Sequence, residues 1–303
     1  MKKIMFLGMG AIGGAFASQL TDGGIKPIVV CNENRKKRYE RNGFIINKKR
    51  YDFEYFLPSK TNYKAEIIFI AVKYQDLKES LNLINNFIGK NTIIVSLMNG
   101  IDSEMIIGNK YGKNHIVHAF VIGIDAVKNN NILNFNSNGQ IIFGKENGIE
   151  NNQTTFIKNL FDQTNINYKL SNEILKELWW KFMVNVGINQ VSSIINAPYG
   201  IFTKCNEASD LMKLAMREVI SLSIEMNINL DESAIDKFDI VLNNLAPEGI
   251  TSMLQDVKAK RKTEVEMLSG QVIEFGKKYN IPTPINEFLF KMIKSIEFIN
   301  NIN

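Results

Sequence analysis

Cysteine is scarce in this chain. Its 303 residues hold two, Cys31 and Cys205, far apart and in no CxxC pair or His/Cys cluster. That spacing excludes a disulfide framework and argues against a structural zinc site, so no metal is expected. Histidine is equally rare, with only His115 and His118. Long apolar runs are missing too. The start, Met1-Lys2-Lys3, has the basic end of a leader, but the apolar run Ile4–Leu7 stops at Gly8, short of an h-region of about 7–15 residues. No stretch approaches the roughly 18 apolar residues of a membrane span. A soluble, cytoplasmic protein with no membrane partner is expected. Excess charge is small, 36 Lys and Arg against 31 Asp and Glu, a formal +5. Such a balance suits an anionic small molecule and is too weak and dispersed for nucleic acid. The densest basic run, Arg35-Lys36-Lys37-Arg38 with Arg41 beyond, is either a solvated helix face or a phosphate-binding element.

What is present is a globular composition, 45% hydrophobic and 22% charged, in a chain long enough for two domains. The first half alternates short apolar runs with helical patterns. Strands are expected at Ile4–Leu7, Ile28–Cys31, Ile67–Val72, Thr92–Leu97, Ile116–Ile122 and Gln140–Phe143. Helical stretches are expected at Ala11–Leu20, Tyr74–Phe87 and around Ser103–Ile107. This alternation predicts βαβ units and a mainly parallel sheet, whose strands read as continuous apolar runs because both faces are covered. From about Glu173 the periodicity is helical, over Glu173–Ile195, Ala208–Met226, Ser252–Tyr279 and Ile285–Ile299. Pro198, Pro247, Pro282 and Pro284 fall between these segments. The expected architecture is an α/β Rossmann-type domain over 1–170 and an all-α domain over 171–303. Asn129–Asn131 mark a surface loop.

The motif Gly8-Met9-Gly10-Ala11-Ile12-Gly13 follows a strand and opens a helix. Gly8 permits a tight turn, Gly10 lets the backbone approach a pyrophosphate, and Gly13 lets the helix pack on the strand. The N–H groups of Ala11, Ile12 and Gly13 at the helix start suit phosphates. In an NAD enzyme an acidic residue about 20 residues on binds the ribose 2′-hydroxyl. Here the second strand ends Val30-Cys31-Asn32, with Glu33 one step late. Asn32 has no charge to repel a 2′-phosphate, and Arg35 and its lysine neighbours would attract one. NADP is therefore favoured, with Glu33 keeping NAD open.

In the second half, Lys181, Asn185 and Asn189 recur at i, i+4, i+8 among Trp180, Phe182, Met183, Val184, Val186 and Ile188. On a helix they form one polar strip on an otherwise apolar surface. Unpaired buried polar groups cost about 1–3 kcal/mol each, so the strip either lines a cleft or joins an internal hydrogen-bond network. Desolvation would lower the pKa of Lys181 and fit it for proton donation during carbonyl reduction. His115 and His118 are alternative donors, although a strand histidine is more often structural. Glu264, on a helix expected to begin near Ser252, reads by itself as solvent-facing.

Together these residues resemble the ketopantoate reductase (2-dehydropantoate 2-reductase) family nearly end to end. The resemblance rests on the glycine motif, Ala71-Val72-Lys73, Met98-Asn99-Gly100, the Lys181/Asn185/Asn189 helix, Ser252-Met253-Leu254-Gln255-Asp256 and Thr263-Glu264. It implies a Rossmann domain joined to a helical domain, with the active site in the cleft between them. It implies Lys181 as general acid and Glu264 positioning substrate or lysine. Asn185, Asn189 and Ser252 would contact a 2-keto acid, and Lys73 and Asn99 would lie beside the cofactor. The implied reaction is NADPH-dependent reduction of ketopantoate to pantoate, for pantothenate and coenzyme A synthesis. By the family's habit the helical domain could build a homodimer interface. One departure is Tyr199, in Asn196-Ala197-Pro198-Tyr199-Gly200, where some members place a smaller polar pocket residue. A phenol there would reshape the pocket, and the superfamily includes dehydrogenases that reduce other branched or aromatic 2-keto acids to D-2-hydroxy acids. A third alternative, a non-catalytic NAD(P)-sensing regulator, needs no proton donor such as Lys181.

Overall fold

The computed structural model describes residues 2–60 and 62–302. Met1, Thr61 and Asn303 lie outside the described residues, and with them the first residue of the leader-like start and the outermost residue of each expected domain. The chain divides into two compact units, Met1–Ile174 and Leu175–Asn303.

The first unit runs β1 (Ile4–Leu7), α1 (Ala11–Asp22), β2 (Ile28–Val30), α2 (Glu33–Asn42), β3 (Phe44–Ile46), β4 (Lys49–Tyr51), β5 (Glu54–Phe56), β6 (Ile67–Ile70), α3 (Leu77–Ser80), β7 (Ile93–Ser96), α4 (Ser103–Tyr111), β8 (Ile116–Ile124), β9 (Val127–Asn129), β10 (Ile132–Asn134), β11 (Asn138–Gly144), α5 (Asn152–Thr164) and β12 (Tyr168–Leu170). Among the described residues eight strands form the main sheet, in the order β5-β2-β1-β6-β7-β8-β11-β12. From β5 to β8 all pairs are parallel, and β11 runs antiparallel to β8. Every residue of β1, β2, β6 and β7 is buried, which is why these segments read as unbroken apolar runs. Alternate side chains serve opposite faces. Phe6 stacks on Phe69 at 5.1 Å and belongs to a core with Phe16 and Phe161. Met5 and Ile68 belong to a second core with Leu77, Ile84 and Ile107.

The unit also contains a four-stranded sheet, β4-β3-β10-β9, that the hydrophobic pattern did not reveal. Its strands have three residues each, too short to show a period. Asn130, at the tip of the β9–β10 hairpin, has a φ of 54°. The stretch Tyr74–Phe87 is tighter than an ordinary helix, with α3 between 3₁₀ turns at Tyr74–Asp76 and Leu81–Phe87.

In the second unit the described residues form helices and no strand. They are α6 (Ile174–Ile195), α7 (Asn206–Glu225), α8 (Ser233–Asn243), α9 (Ser252–Lys258), α10 (Ser269–Tyr279) and α11 (Pro284–Ile302). No helix is long and apolar enough to cross a membrane among the described residues. At Gly187, α6 comes close to α7. A Cβ there would lie 2.6 Å from Met216 Cε and 3.0 Å from the Met212 carbonyl oxygen. The buried carboxylate of Glu218 accepts the backbone N–H groups of Ile285 and Asn286 at 2.7 and 2.9 Å. It thereby caps α11, whose first residue is Pro284.

The structure corrects the single helix expected over Ser252–Tyr279. Lys260 takes a φ of 53°, and Arg261 turns back to donate its N–H to the Asp256 carbonyl at 2.8 Å and its side chain to the Asp256 carboxylate at 2.7 Å. The chain then stays non-helical until Ser269.

Gly187→Ala should lower stability by about 1–3 kcal/mol, the usual result of overpacking. A urea midpoint equal to that of the wild type would show that α6 and α7 can part freely at this point.

Candidate active site

The order of the main sheet reverses between β1 and β6. The chain passes outward from β1 to β2 and β5, then returns to lay β6 against the other side of β1. In open α/β sheets ligands bind outside the carboxyl ends of the strands at such a switch point. The loops leaving β1 and β6 meet there. Gly8 has a φ of 101°, and a Cβ on it would lie 2.4 Å from the Ala71 carbonyl oxygen. A Cβ on Gly13 would lie 2.1 Å from the Gly8 carbonyl oxygen. Both glycines are required by packing within the protein. Gly10 is not, because the nearest atom to its Cβ position is 3.7 Å away. The open space over Gly10 therefore suits a group that comes close to the backbone.

Gly10 is also the N-cap of α1, with no side-chain cap and no acidic residue in the first turn. By contrast, Asn32 caps α2 and Asn151 caps α5 with a reciprocal capping box. The N–H groups at the start of α1, around Ala11, Ile12 and Gly13, receive no side-chain cap and suit an anion.

The other residues expected at the cofactor stand on neighbouring loops. Asn32 follows β2, and its side chain accepts the Arg35 N–H at 2.9 Å. Lys73 follows β6, is exposed, and begins the 3₁₀ turn. Asn99 follows β7, half-buried, before Gly100 with its φ of 91°. Strands β2, β1, β6 and β7 are consecutive in the sheet, so their four loops span about 15 Å at the usual strand spacing. The basic run on α2 is unevenly neutralised. Lys36 pairs with Glu40 at 3.7 Å and Lys37 with Glu33 at 4.0 Å. Arg35 makes no ion pair among the described residues. Cys31 is buried, and burial pushes its thiol up to about 11, which leaves it unreactive.

One residue at this edge was not visible in the sequence. The ammonium of Lys128, on β9, donates to the Met9 carbonyl inside the glycine loop. His115 lies 2.6 Å from the Thr92 carbonyl through Nδ1, and burial pushes His118 down to about 4, which keeps it neutral.

In the second unit, α6 carries Lys181, Asn185 and Asn189 half-buried on one face, while Phe182, Met183, Val186 and Gln190 are buried. Desolvation pushes Lys181 down to about 8, and the negative charge of Glu264 opposes that shift. Glu264 does so from the break between α9 and α10, not from a helix. Its neighbour Thr263 is anchored by N–H and Oγ1, which both donate to Glu297 Oε1, at 2.8 and 2.7 Å. Lys294 bridges Glu297 and Glu266 at 2.7 and 2.8 Å. Burial would raise the carboxyl of Glu297, but Lys294 and Thr263 together hold it below its ordinary value.

Ser252 is exposed at the first turn of α9. The preceding residue, Thr251, accepts the Leu254 N–H at 3.2 Å and donates its hydroxyl to Ser192 on α6 at 3.3 Å. Tyr199 contributes to this end through its backbone, donating to the Gly249 carbonyl at 2.9 Å. A Cβ on Gly249 would lie 3.0 Å from the Tyr199 ring, so ring and glycine fit each other.

Two family models match the chain. The one described as ketopantoate reductase PanE/ApbA covers residues 4–148, and its C-terminal counterpart covers 173–297. The chain is 29% identical to the 2-dehydropantoate 2-reductase of Aquifex aeolicus over 98% of each chain. Its fold is similar to that of D-mandelate dehydrogenase solved with NADH and anilino(oxo)acetate, with a TM-score of 0.86 at 22% identity over 99% of each chain. A dimeric ketopantoate reductase from Staphylococcus aureus gives 0.81 at 18% identity, over 98% of this chain and 99% of that one.

Gly10→Ala should leave the thermal midpoint nearly unchanged while weakening nicotinamide dinucleotide binding about tenfold or more. Gly13→Ala should instead destabilise the fold. Wild-type affinity in the Gly10 variant would remove this loop from the binding site.

Proposed function

The chain belongs to the ketopantoate reductase family and is an oxidoreductase, and we propose that it reduces 2-dehydropantoate to pantoate with NADPH, Lys181 acting as general acid. The observation that carries this reading is the state of Lys181, a desolvated ammonium near pKa 8 that feels Glu264 and shares a helix face with two asparagines.

The open cradle at Gly10 and the side-chain-free start of α1 fit a dinucleotide pyrophosphate. Gly8, Gly10 and Gly13 would hold it, with Ala11 and Ile12 offering N–H groups. Asn32 and Arg35 would face the adenosine ribose, and Lys73 and Asn99 the nicotinamide end. When bound, the reduced cofactor supplies a hydride to the 2-keto carbon. The carbonyl π electrons move onto oxygen, where alkoxide character develops. Lys181 stabilises that charge and delivers a proton from Nζ, leaving a neutral amine that solvent reprotonates. With its pKa near 8, Lys181 is mostly protonated at pH 7 and still able to give its proton up. Glu264 keeps the pKa from falling further. Asn185, Asn189 and Ser252 supply donors for the substrate carboxylate and hydroxyl. A homodimer is part of this reading, in line with the dimeric relative.

A second reading is supported by the D-mandelate dehydrogenase similarity and by Tyr199. It is reduction of another branched or aromatic 2-keto acid to a D-2-hydroxy acid, with the same Lys181 chemistry. A cofactor sensor without turnover leaves the Lys181–Glu264 coupling without a role.

Initial rates with ketopantoate, 2-ketoisovalerate, 2-ketoisocaproate and phenylglyoxylate, each with NADPH and NADH, separate the readings. Ketopantoate with NADPH should exceed the other pairs in kcat/KM by about tenfold or more, or ~1.4 kcal/mol. Superiority of another keto acid would establish the second reading. Lys181→Ala should lower kcat by about 10²–10⁴-fold with cofactor affinity retained, and near-normal turnover would remove Lys181 from the mechanism.

Reduction should decline as pH rises through about 8, where Lys181 loses its proton. In Glu264→Gln the raising influence of the carboxylate is gone, so the decline should begin at lower pH. An unmoved profile would show that Glu264 does not act through the lysine.

A further inference from the structure

We propose that Lys128, together with Arg35 and Arg38, forms an anion seat that takes the 2′-phosphate on the adenosine ribose of NADP, so that the small four-stranded sheet sets the choice between the two dinucleotides. The proposal rests on the dinucleotide reading of the glycine loop and adds to it a residue from outside the βαβ core.

The fold brings Lys128 there through strand register. Lys128 on β9 lies opposite Leu133 on β10, and directly opposed side chains share a face of the sheet. Leu133 packs on α1, where a Cβ on Gly14 would meet its Cδ2 at 3.0 Å. The same face therefore carries Lys128 to the start of α1, where its ammonium reaches the Met9 carbonyl. Its Nζ sits 5.0 Å from the centre of the Phe44 ring. No carboxylate pairs with it among the described residues.

Its neighbours have the same charge. Burial and the guanidinium charges of Arg38 and Arg35 together push Lys128 down to about 8. Neither arginine has an ion pair among the described residues, whereas the lysines between them are matched by Glu40 and Glu33. Three unmatched cations, one of them half-buried, oppose one another unless an anion joins them. Arg35 and Arg38 stand on the helix after β2, whose carboxyl end takes the adenosine ribose in this fold, while the pyrophosphate belongs at α1. A phosphomonoester on that ribose is the anion placed to relieve all three.

Binding of NADPH and of NADH to the full chain, followed by cofactor fluorescence, tests this. Lys128→Met should weaken NADPH by about tenfold or more and NADH by less than about twofold, and Lys128→Arg should retain the preference. Affinity for 2′,5′-ADP should fall in parallel with that for NADPH, and affinity for 5′-ADP should hold. Wild-type NADPH affinity should also decline above pH 8, because among the described residues the groups facing Lys128 are two guanidinium ions, the Phe44 ring and the Met9 carbonyl, and of these Lys128 is the one that titrates there. That decline should be absent in Lys128→Arg. Equal losses for both dinucleotides would make Lys128 a clamp on the glycine loop and overturn the proposal, as would no loss for either. A wild type that favours NADH would overturn it while leaving the dinucleotide reading intact. A wild type that binds neither would remove the dinucleotide reading itself.

Discussion

The contact between the carboxyl ends of β1 and β6 constrains everything else in the first unit. At Gly8 the backbone passes so near the Ala71 carbonyl that a side chain cannot be accommodated. Gly13 then lets α1 rise directly from that junction. The N-terminus of the helix is thus fixed beside the one place where the sheet order reverses and the crossovers diverge. Once this junction is closed, the loops after β2, β6 and β7 have no choice about where they end, because their strands are in register with β1. Asn32, Lys73 and Asn99 are carried to one edge by hydrogen-bonded neighbours, with no need for a long-range device of their own. Gly10 differs from its two companions in that protein packing alone would tolerate a side chain there. Its openness is the observation on which the proposed dinucleotide cradle most directly rests.

In the second unit the governing balance is between the desolvation of Lys181 and the carboxylate of Glu264. Burial withdraws Lys181 from water, and Glu264 offsets part of the resulting penalty. The carboxylate can do this only if its non-helical segment is held still. Glu297 provides the hold by accepting both donors of Thr263, and Lys294 fixes Glu297 in turn. Charge on α11 is therefore used to place charge next to α6, through hydrogen bonds that are mostly buried and so geometrically exacting.

Legibility in the sequence followed burial and length. The fully buried strands β1, β6 and β7 announced themselves as apolar runs, and the glycine spacing marked the loop between β1 and α1 as a phosphate-binding turn before any topology was known. The polar strip on α6 was readable because it interrupts an otherwise apolar helix. The small sheet was not, because strands such as Val127–Asn129 have one or two side chains per face and leave no periodic signal. Lys128 went unnoticed for that reason, since its role depends on pairing with Leu133. Glu264 was misread for a different one. The segment from Ser252 has helical propensity throughout, and only the left-handed turn at Lys260 with the Arg261–Asp256 contacts breaks it. Lysine is not a residue that signals such a turn.

Lys181 and Lys128 show how one physical device can serve two purposes. Each ammonium is desolvated, and each is brought to a pKa of about 8. Their surroundings differ in sign. Lys181 has a carboxylate that partly restores its charge, so it can lose a proton and recover it without a new partner, as a group in a catalytic cycle must. Lys128 has two guanidinium groups that lower its pKa further and, among the described residues, no carboxylate paired with it to offset them. For such a site the linkage runs the other way. A bound anion raises the lysine's pKa, and the same free energy appears as tighter binding of that anion by the protonated form. Repulsion among Lys128, Arg35 and Arg38 in the free protein thus becomes selectivity in the bound one, because only a ligand carrying charge at that position relieves it. Charge of opposite sign beside one lysine and of like sign beside the other is what separates the proposed proton donor from the proposed anion seat.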